Sequence, residues 1–368
     1  MKSKNFNNPG HKPRVLFSPI DWGLGHVTRS IPIINRLLEK DCEVIIAAEG
    51  SCRSLLEKEF PDLLFLNLRG YRMKYSRQKF WMPVKMLVQF PKIILSIYTE
   101  HSWLKKIVKK YSVDAVISDN RFGMYHSSVP CIYVTHQLKI KTGNRFTEWI
   151  AQKINYWFIN KYNECWVPDT AGEINLSGEL SHPVVLPKAP VKYLGPLSRF
   201  EKEAGEIRYD LLIILSGPEP QRNVFEKILL KDLKNYSGRA LLVRGLPSNT
   251  TLSKTSSSSL GIENHLPAAE LNRVILQSKI IISRCGYTTV MDLIKLQKEA
   301  ILIPTPGQTE QEYLADHLLK QKLFFCTKQE LFSLPEVLKK AENFSFSNSA
   351  FSQNDYEKVI DSFVLRFL

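Results

Sequence analysis

The chain contains no Cys-x-x-Cys pair, no Gly-Lys-Ser/Thr, no Asp-x-Asp and no apolar run of membrane-spanning length. Its six cysteines are scattered, which excludes a zinc ribbon or a disulfide framework and reads as reduced thiols in a cytoplasmic protein. Without a Walker signature it is not a P-loop nucleotidase. Without paired aspartates, a metal held in that way is not expected. The longest apolar stretch, "MLVQFPKIILSIY", is broken by Pro91 and Lys92 and falls short of the ~18 residues of a span. The opening "MKSKNFNNPGHKP" is polar and has no secretory pattern.

What is present is a soluble composition, 44% hydrophobic and 23% charged, over 368 residues, enough for two domains. The formal net charge of +14 is unevenly spread. Residues 69–112 hold eleven Lys/Arg and one acid, Glu100, interleaved with Phe80, Trp81, Phe90, Tyr98 and Trp103. Such a segment is either a solvated helix face or a surface for an anionic membrane, an acidic substrate or nucleic acid. No nucleic-acid recognition motif accompanies it, so nucleic acid is not the expected partner.

Short Val/Ile-rich strands alternate with helical stretches. "RVLFS" leads to a helix over 27–40, then "CEVIIAA", a helix near 51–60, "LLFLNL", the basic segment, "DAVISD" and "PCIYVTH". Strands apolar on both faces and separated by helices imply a parallel sheet covered on both sides. The Gly, Pro and charge of 194–210 mark a boundary, after which the pattern restarts with "DLLIILSG". The expectation is α/β, two doubly wound domains over 13–197 and 206–352, with a ligand cleft between them. A helix over 353–368 is expected to pack back on the first domain. The serine-rich "LSKTSSSSLG" reads as a mobile loop.

The turn after the first strand, "SPIDWGLGHVTRSIP", carries more than a turn needs. Gly23 and Gly25 permit close approach of the backbone, and the N–H groups of the following helix favour an anion or a sugar oxygen. A third glycine is not in register, so this is not the dinucleotide fingerprint. His26 is either a helix-capping residue or a general base for an incoming hydroxyl. A base of that kind needs a carboxylate on its other nitrogen. Asp119, ending "DAVISD", is the candidate, unless it merely caps a helix starting at Asn120.

In the second half, "IISRCGYTTVMD" ends a strand at Ser283-Arg284, allows close approach at Gly286 and opens a helix with Thr288-Thr289. Backbone N–H groups, two hydroxyls and Arg284 suit a diphosphate, and Asp292, one turn on, a ribose. "PTPGQTEQ" brings Gln308, Glu310 and Gln311 to the cleft edge, suited to sugar hydroxyls. The glycine turn "LSGPEPQR", with Ser216 and Gly217, offers another phosphate contact.

On 23–29, 283–292 and 307–311, the chain resembles the GT-B nucleotide-sugar glycosyltransferases, built of two Rossmann-like domains. Within them it is similar to bacterial members related to the UDP-N-acetylglucosamine transferase that makes lipid II. The resemblance spans nearly the whole chain. It implies a metal-independent hexosyltransferase without cofactor, taking a UDP-sugar, with an N-acetylhexosamine or hexose moved to a lipid-linked or cell-envelope glycan acceptor. It also implies roles: His26 as base, Asp119 its partner, and Gly23, Gly25 and Arg29 in the acceptor-side loop. Gly286, Thr288 and Thr289 hold the diphosphate, Asp292 the ribose, and Gln308, Glu310 and Gln311 the sugar. Asn264, His265 and Leu266 meet the base edge, with Ser216, Gly217, Arg244, Ser283 and Arg284 completing the donor side. Aspartate at 292 is shorter than the glutamate usual there, and the first loop lacks the longer glycine run of the lipid II enzyme. The UDP-sugar hydrolase of pseudaminic acid synthesis shares the Gly-x-Gly-His-x-x-Arg pattern and gives an alternative, with water as acceptor; a nucleotide-sugar sensor is a third. A membrane-facing use of 69–112, on the inner face of the cytoplasmic membrane, separates the transferase from a hydrolase of a soluble sugar.

Overall fold

The computed structural model describes residues 12–21, 23–71, 82–217, 219–246, 259–347, 351 and 355–368. Trp22, residues 72–81, the side chains of Lys85 and Phe90 and most of the serine-rich segment lie outside the described residues.

The first half builds β1 (Arg14–Pro19), α1 (Leu24–Glu39), β2 (Glu43–Ala48), α2 (Gly50–Glu59), β3 (Leu64–Asn67) and α3 (Met82–Lys110). It continues with β4 (Ala115–Asp119), β5 (Cys131–Val134), α4 (Arg145–Ile159), β6 (Glu164–Val167) and β7 (Val191–Tyr193). The seven strands form one parallel sheet in the order β3-β2-β1-β4-β5-β6-β7. After the irregular stretch 194–208 come β8 (Tyr209–Ile214), α5 (Gln221–Leu233), β9 (Ala240–Val243), β10 (Leu260–Glu263) and α6 (Ala268–Leu276). Then follow β11 (Ser278–Arg284), α7 (Tyr287–Lys295), β12 (Ala300–Ile303), α8 (Thr309–Lys320), β13 (Phe325–Cys326) and α9 (Leu334–Glu342). These strands form a second parallel sheet, β10-β9-β8-β11-β12-β13. Central strands such as β4, β5 and β12 are buried along their whole length, as strands covered on both faces must be. The six cysteines are free and buried.

The last helix, α10 (Asp355–Phe367), lies on the first domain. Asp361 pairs with Arg36 of α1, Phe363 meets Trp166 of β6 edge to face, and Arg366 reaches Glu164.

Both sheets reverse direction of winding once, between β1 and β4 in the first and between β8 and β11 in the second. In doubly wound sheets ligands gather at such points, outside the carboxyl ends of the strands. The turns carrying His26 and Asp119 flank the first reversal, and Gly217 and Gly286 flank the second.

Candidate active site

The register sets Pro19 of β1 opposite Asp119 of β4, and the Ile20 amide donates to the Asp119 carbonyl at 2.9 Å. The two strand ends therefore open at one level. Gly23 caps α1 with a φ of 98°, a left-handed conformation that favours glycine. His26 is the third residue of α1 and not its cap. His26 and Arg29, three apart on the helix, share a face and both turn to Asp119. No helix follows Asp119: Asn120 takes a φ of 57° and the chain enters a turn, so the carboxylate is not a helix cap.

The His26 Nδ1 lies 3.0 Å from Asp119 Oδ1. Arg29 Nε donates to Asp119 Oδ2 at 2.7 Å and its Nη2 bonds Oδ1, a two-pronged grip on a buried carboxylate. The same Nη2 is 2.8 Å from His26 Nδ1. Burial works to raise the Asp119 carboxyl, but Arg29 and then His26 outweigh it and hold it well below the usual carboxylate range. Burial, and then the Arg29 cation, push His26 below its ordinary value against the pull of Asp119. The imidazole is thus neutral near pH 7, with its side chain 14% exposed. A neutral imidazole beside an ionised carboxylate is equipped to take a proton.

The second domain closes on this cluster. A Cβ on Gly25 would stand 2.7 Å from Thr288 Oγ1, so the start of α1 lies against the start of α7. Two helix N-termini face one cleft, where unpaired N–H groups favour negative charge. Thr288 and Thr289 are partly exposed there. Tyr287 donates to the Pro168 carbonyl at 2.7 Å, and Thr309 to the Lys141 carbonyl at 2.8 Å. Glu310 of α8 crosses to His136, after β5, at 2.8 Å. Burial works to raise the Glu310 carboxyl, and His136 more than offsets it, leaving the group lowered and ionised at neutral pH.

Other residues expected at the donor side are occupied elsewhere. Arg284 is enclosed: it donates to the Gln221 carbonyl (3.0 Å), Gln329 Oε1 (2.7 Å) and the Pro304 carbonyl, and stacks on Phe225. It does not reach the cleft, although burial lowers it only to about 10 and it stays charged. Ser283 is buried and donates to the Arg284 carbonyl. Asp292 accepts from Ser198 Oγ of the interdomain stretch at 2.6 Å, and burial pushes its carboxyl up to about 7 against Ser198 and Arg199. Arg244 is paired with Glu226, itself gripped by Arg222, and donates to Asn264 at 3.0 Å. Gln311 Oε1 caps the Thr305 amide of its own turn at 2.8 Å. Gln308 precedes α8 and is partly exposed, as are Gly286 and Arg244, while His265, Ser216 and Gly217 are exposed and Leu266 is buried.

Two features escaped the sequence reading. One is His136. The other is α4, whose outer face exposes Phe146, Trp149 (57%) and Trp157 (60%) beside Lys153 and Lys161. Its inner residue Phe158 shares a small core with Ile97 of α3, and α3 exposes Leu95 and Tyr98.

The architecture is GT-B: two parallel-sheet α/β domains with the candidate site between them. Residues 251–362 match the family model described as "Glycosyltransferase family 28 C-terminal domain". Over 326 residues the chain is 23% identical to the UDP-N-acetylglucosamine–N-acetylmuramyl-(pentapeptide) pyrophosphoryl-undecaprenol N-acetylglucosamine transferase of Amoebophilus asiaticus, covering 83% of this chain and 82% of that one. The enzyme of the same name from Clostridium tetani is also 23% identical, with 82% and 79% covered. Among solved structures, the kitacinnamycin glycotransferase superposes with a TM-score of 0.65 at 13% identity, covering 96% and 94% of the two chains. MurG of Acinetobacter baumannii gives 0.53 at 14% identity, covering 97% and 94%. Fold and sequence matches together support a nucleotide-sugar-dependent glycosyltransferase.

Proposed function

We propose that the chain moves a hexose or N-acetylhexosamine from a UDP-sugar to the hydroxyl of a lipid-linked or cell-envelope glycan, without a metal. The observation that carries this reading is the His26–Asp119 contact, 3.0 Å long, facing the start of α7. With its Nδ1 proton donated to Asp119, His26 presents the Nε2 lone pair to the acceptor hydroxyl. As the hydroxyl's proton moves to Nε2, the acceptor oxygen forms its bond to the sugar's anomeric carbon. The bond to the diphosphate breaks on the opposite side, and the configuration inverts. Negative charge growing on the diphosphate falls to the α7 N–H groups and to Thr288 and Thr289, with no rearrangement needed at that moment. Asp292, Gln308, Gln311 and the 264–266 stretch are the remaining donor contacts in this reading, and Asp292 would leave Ser198 for the ribose. The test is incubation of the full chain with a panel of UDP-sugars, with and without glycan-lipid acceptors. UDP release that waits for an acceptor is the expected result. Equally fast release into water would overturn the transferase reading.

The acceptor side is proposed to dock on an anionic membrane surface. Glu100, the acid of the basic segment, is buried against Arg121 and Tyr71, and Lys105, Lys106, Lys109 and Lys110 are exposed. The apolar side of the patch comes from α4, whose Trp149 and Trp157 suit the headgroup level. Among the described residues no helix is long and apolar enough to cross a membrane. Each Lys near such a surface contributes about 1 kcal/mol. Sedimentation with vesicles should therefore rise with anionic lipid and fall on changing Lys105, Lys106, Lys109 and Lys110 to Ser. Equal pelleting on neutral vesicles would remove the proposal.

A further inference from the structure

His136 stands at the meeting of the two domains, nearly buried, with a partner on each side. Arg29 Nη1 lies 2.9 Å from its Nδ1, and Glu310 Oε1 lies 2.8 Å from its Nε2. Tyr287 of α7 stacks on the ring at 4.3 Å between centroids and 6° between planes. Among the described residues Arg29 is the one hydrogen-bond partner of His136 Nδ1, and an arginine can only donate, so this nitrogen carries a lone pair. His26 Nδ1 differs in having the Asp119 carboxylate to donate to. The proton of the neutral ring then sits on Nε2, where it donates to the Glu310 carboxylate. The bonds run in one direction: Arg29 donates to Asp119 and to His136, and His136 donates to Glu310.

We propose that His136 is a positioning residue that makes the grip of Glu310 on the donor sugar depend on the first-domain cluster. It holds the carboxylate through Nε2–H, with Gln137 a second neighbour of the group, and a remaining carboxylate lone pair accepts from a sugar hydroxyl. The inference rests on the nucleotide-sugar reading above. Glu310 and Tyr287 come from the second domain and Arg29 from the first, so the arrangement exists only with the domains closed. The carboxylate is then held for a sugar only when Arg29, and with it Asp119, is in place beside His26. The 264–266 stretch lies on another element, and the diphosphate site at the start of α7 meets this ring only through the Tyr287 stack, which His136→Phe would keep. Loss of His136 should therefore weaken recognition of the sugar and spare recognition of UDP.

The test uses calorimetric titration of the full chain with UDP and with UDP-hexoses and UDP-N-acetylhexosamines. His136→Phe keeps a ring for Tyr287 and removes both hydrogen bonds; His136→Gln restores an N–H toward Glu310. A hydrogen bond to a charged group corresponds to about a tenfold or greater change in affinity. The preference for the sugar nucleotide over UDP should fall by about that factor in His136→Phe and recover in His136→Gln. UDP affinity should stay within about twofold in both. Glu310→Ala should remove the effect of His136→Phe, the two changes being non-additive. An unchanged preference in His136→Phe, or an equal loss of UDP binding, would overturn the proposal. Nitrogen-15 spectra of the ligand-free chain give a reading that needs no substrate: the His136 proton is expected on Nε2. A proton on Nδ1 would refute the positioning role. Failure of the wild-type chain to bind any UDP-sugar would instead count against the function, leaving the spectrum to decide on His136.

Discussion

The β1–α1 turn of the first domain and the β11–α7 turn of the second are the same device used for opposite ends. Each follows a strand at a winding reversal, loosens with glycine and opens a helix whose first N–H groups face the cleft. The first turn fills its mouth with titratable side chains, His26 and Arg29 on Asp119. The second presents hydroxyls and backbone, while its own charged residues, Arg284 and Asp292, are turned into protein. In the proposed reaction one end handles a proton and the other a fixed negative charge. A group that must change protonation needs partners that tune it, whereas a diphosphate needs only fixed donors.

The comparison breaks most readily at the end proposed to be catalytic. His26→Ala should lower turnover by ~10²–10⁴ while calorimetric UDP affinity barely moves. Parallel loss of both would mean that the first turn binds as well as reacts. Asp119→Ala is expected to strike stability too, because it leaves the Arg29 guanidinium buried without its carboxylate. A loss of ~3–5 kcal/mol in denaturant unfolding is the expected scale, and Asp119→Asn should lose less. At the other end, replacing Thr288 and Thr289 by Ala should weaken UDP-sugar binding by ~0.5–1.5 kcal/mol per lost hydrogen bond, with turnover at saturation changed far less. The smallest effect is a shift in pH dependence. A base works when unprotonated, so activity fails as pH falls through the His26 value, which burial and Arg29 hold below 6.5. The acid limb of kcat/KM should centre below pH 6.5; a limb centred above 7 would assign the base elsewhere.

Much of the first turn was legible in the chain because its causes are local. Two glycines and a histidine after an apolar strand announce a site, and the doubly wound order puts the end of β4 next to β1. The helical spacing of His26 and Arg29 was there to be read as well, although Arg29 was expected only as part of the acceptor-side loop. His136 has no local signal: its partners lie 107 and 174 positions away, and "THQ" holds no glycine to mark it. The inward turn of Arg284 and Asp292 was equally hidden, since residue type at a strand or helix end does not say which way a side chain faces. The apolar face of α4 reads in sequence like any core-facing helix, because spacing alone does not distinguish a buried stripe from an uncovered one. The basic segment drew notice through charge, while the aromatic side of the proposed docking surface lies some forty residues further on.

The seat of α10 on the first domain gives the molecule a mechanical property. The polypeptide passes from one domain to the other in 194–208 and passes back between α9 and α10, where Arg36 and Lys40 hold Asp361. A body joined at one point swivels in any direction, but one joined at two turns about the line through them. The domains should therefore open like a door on two hinge pins, bringing Gly25 and Thr288 back to the same alignment at every closure. Cutting the chain before α10 would leave a single pin, and the same two faces would then meet in many orientations.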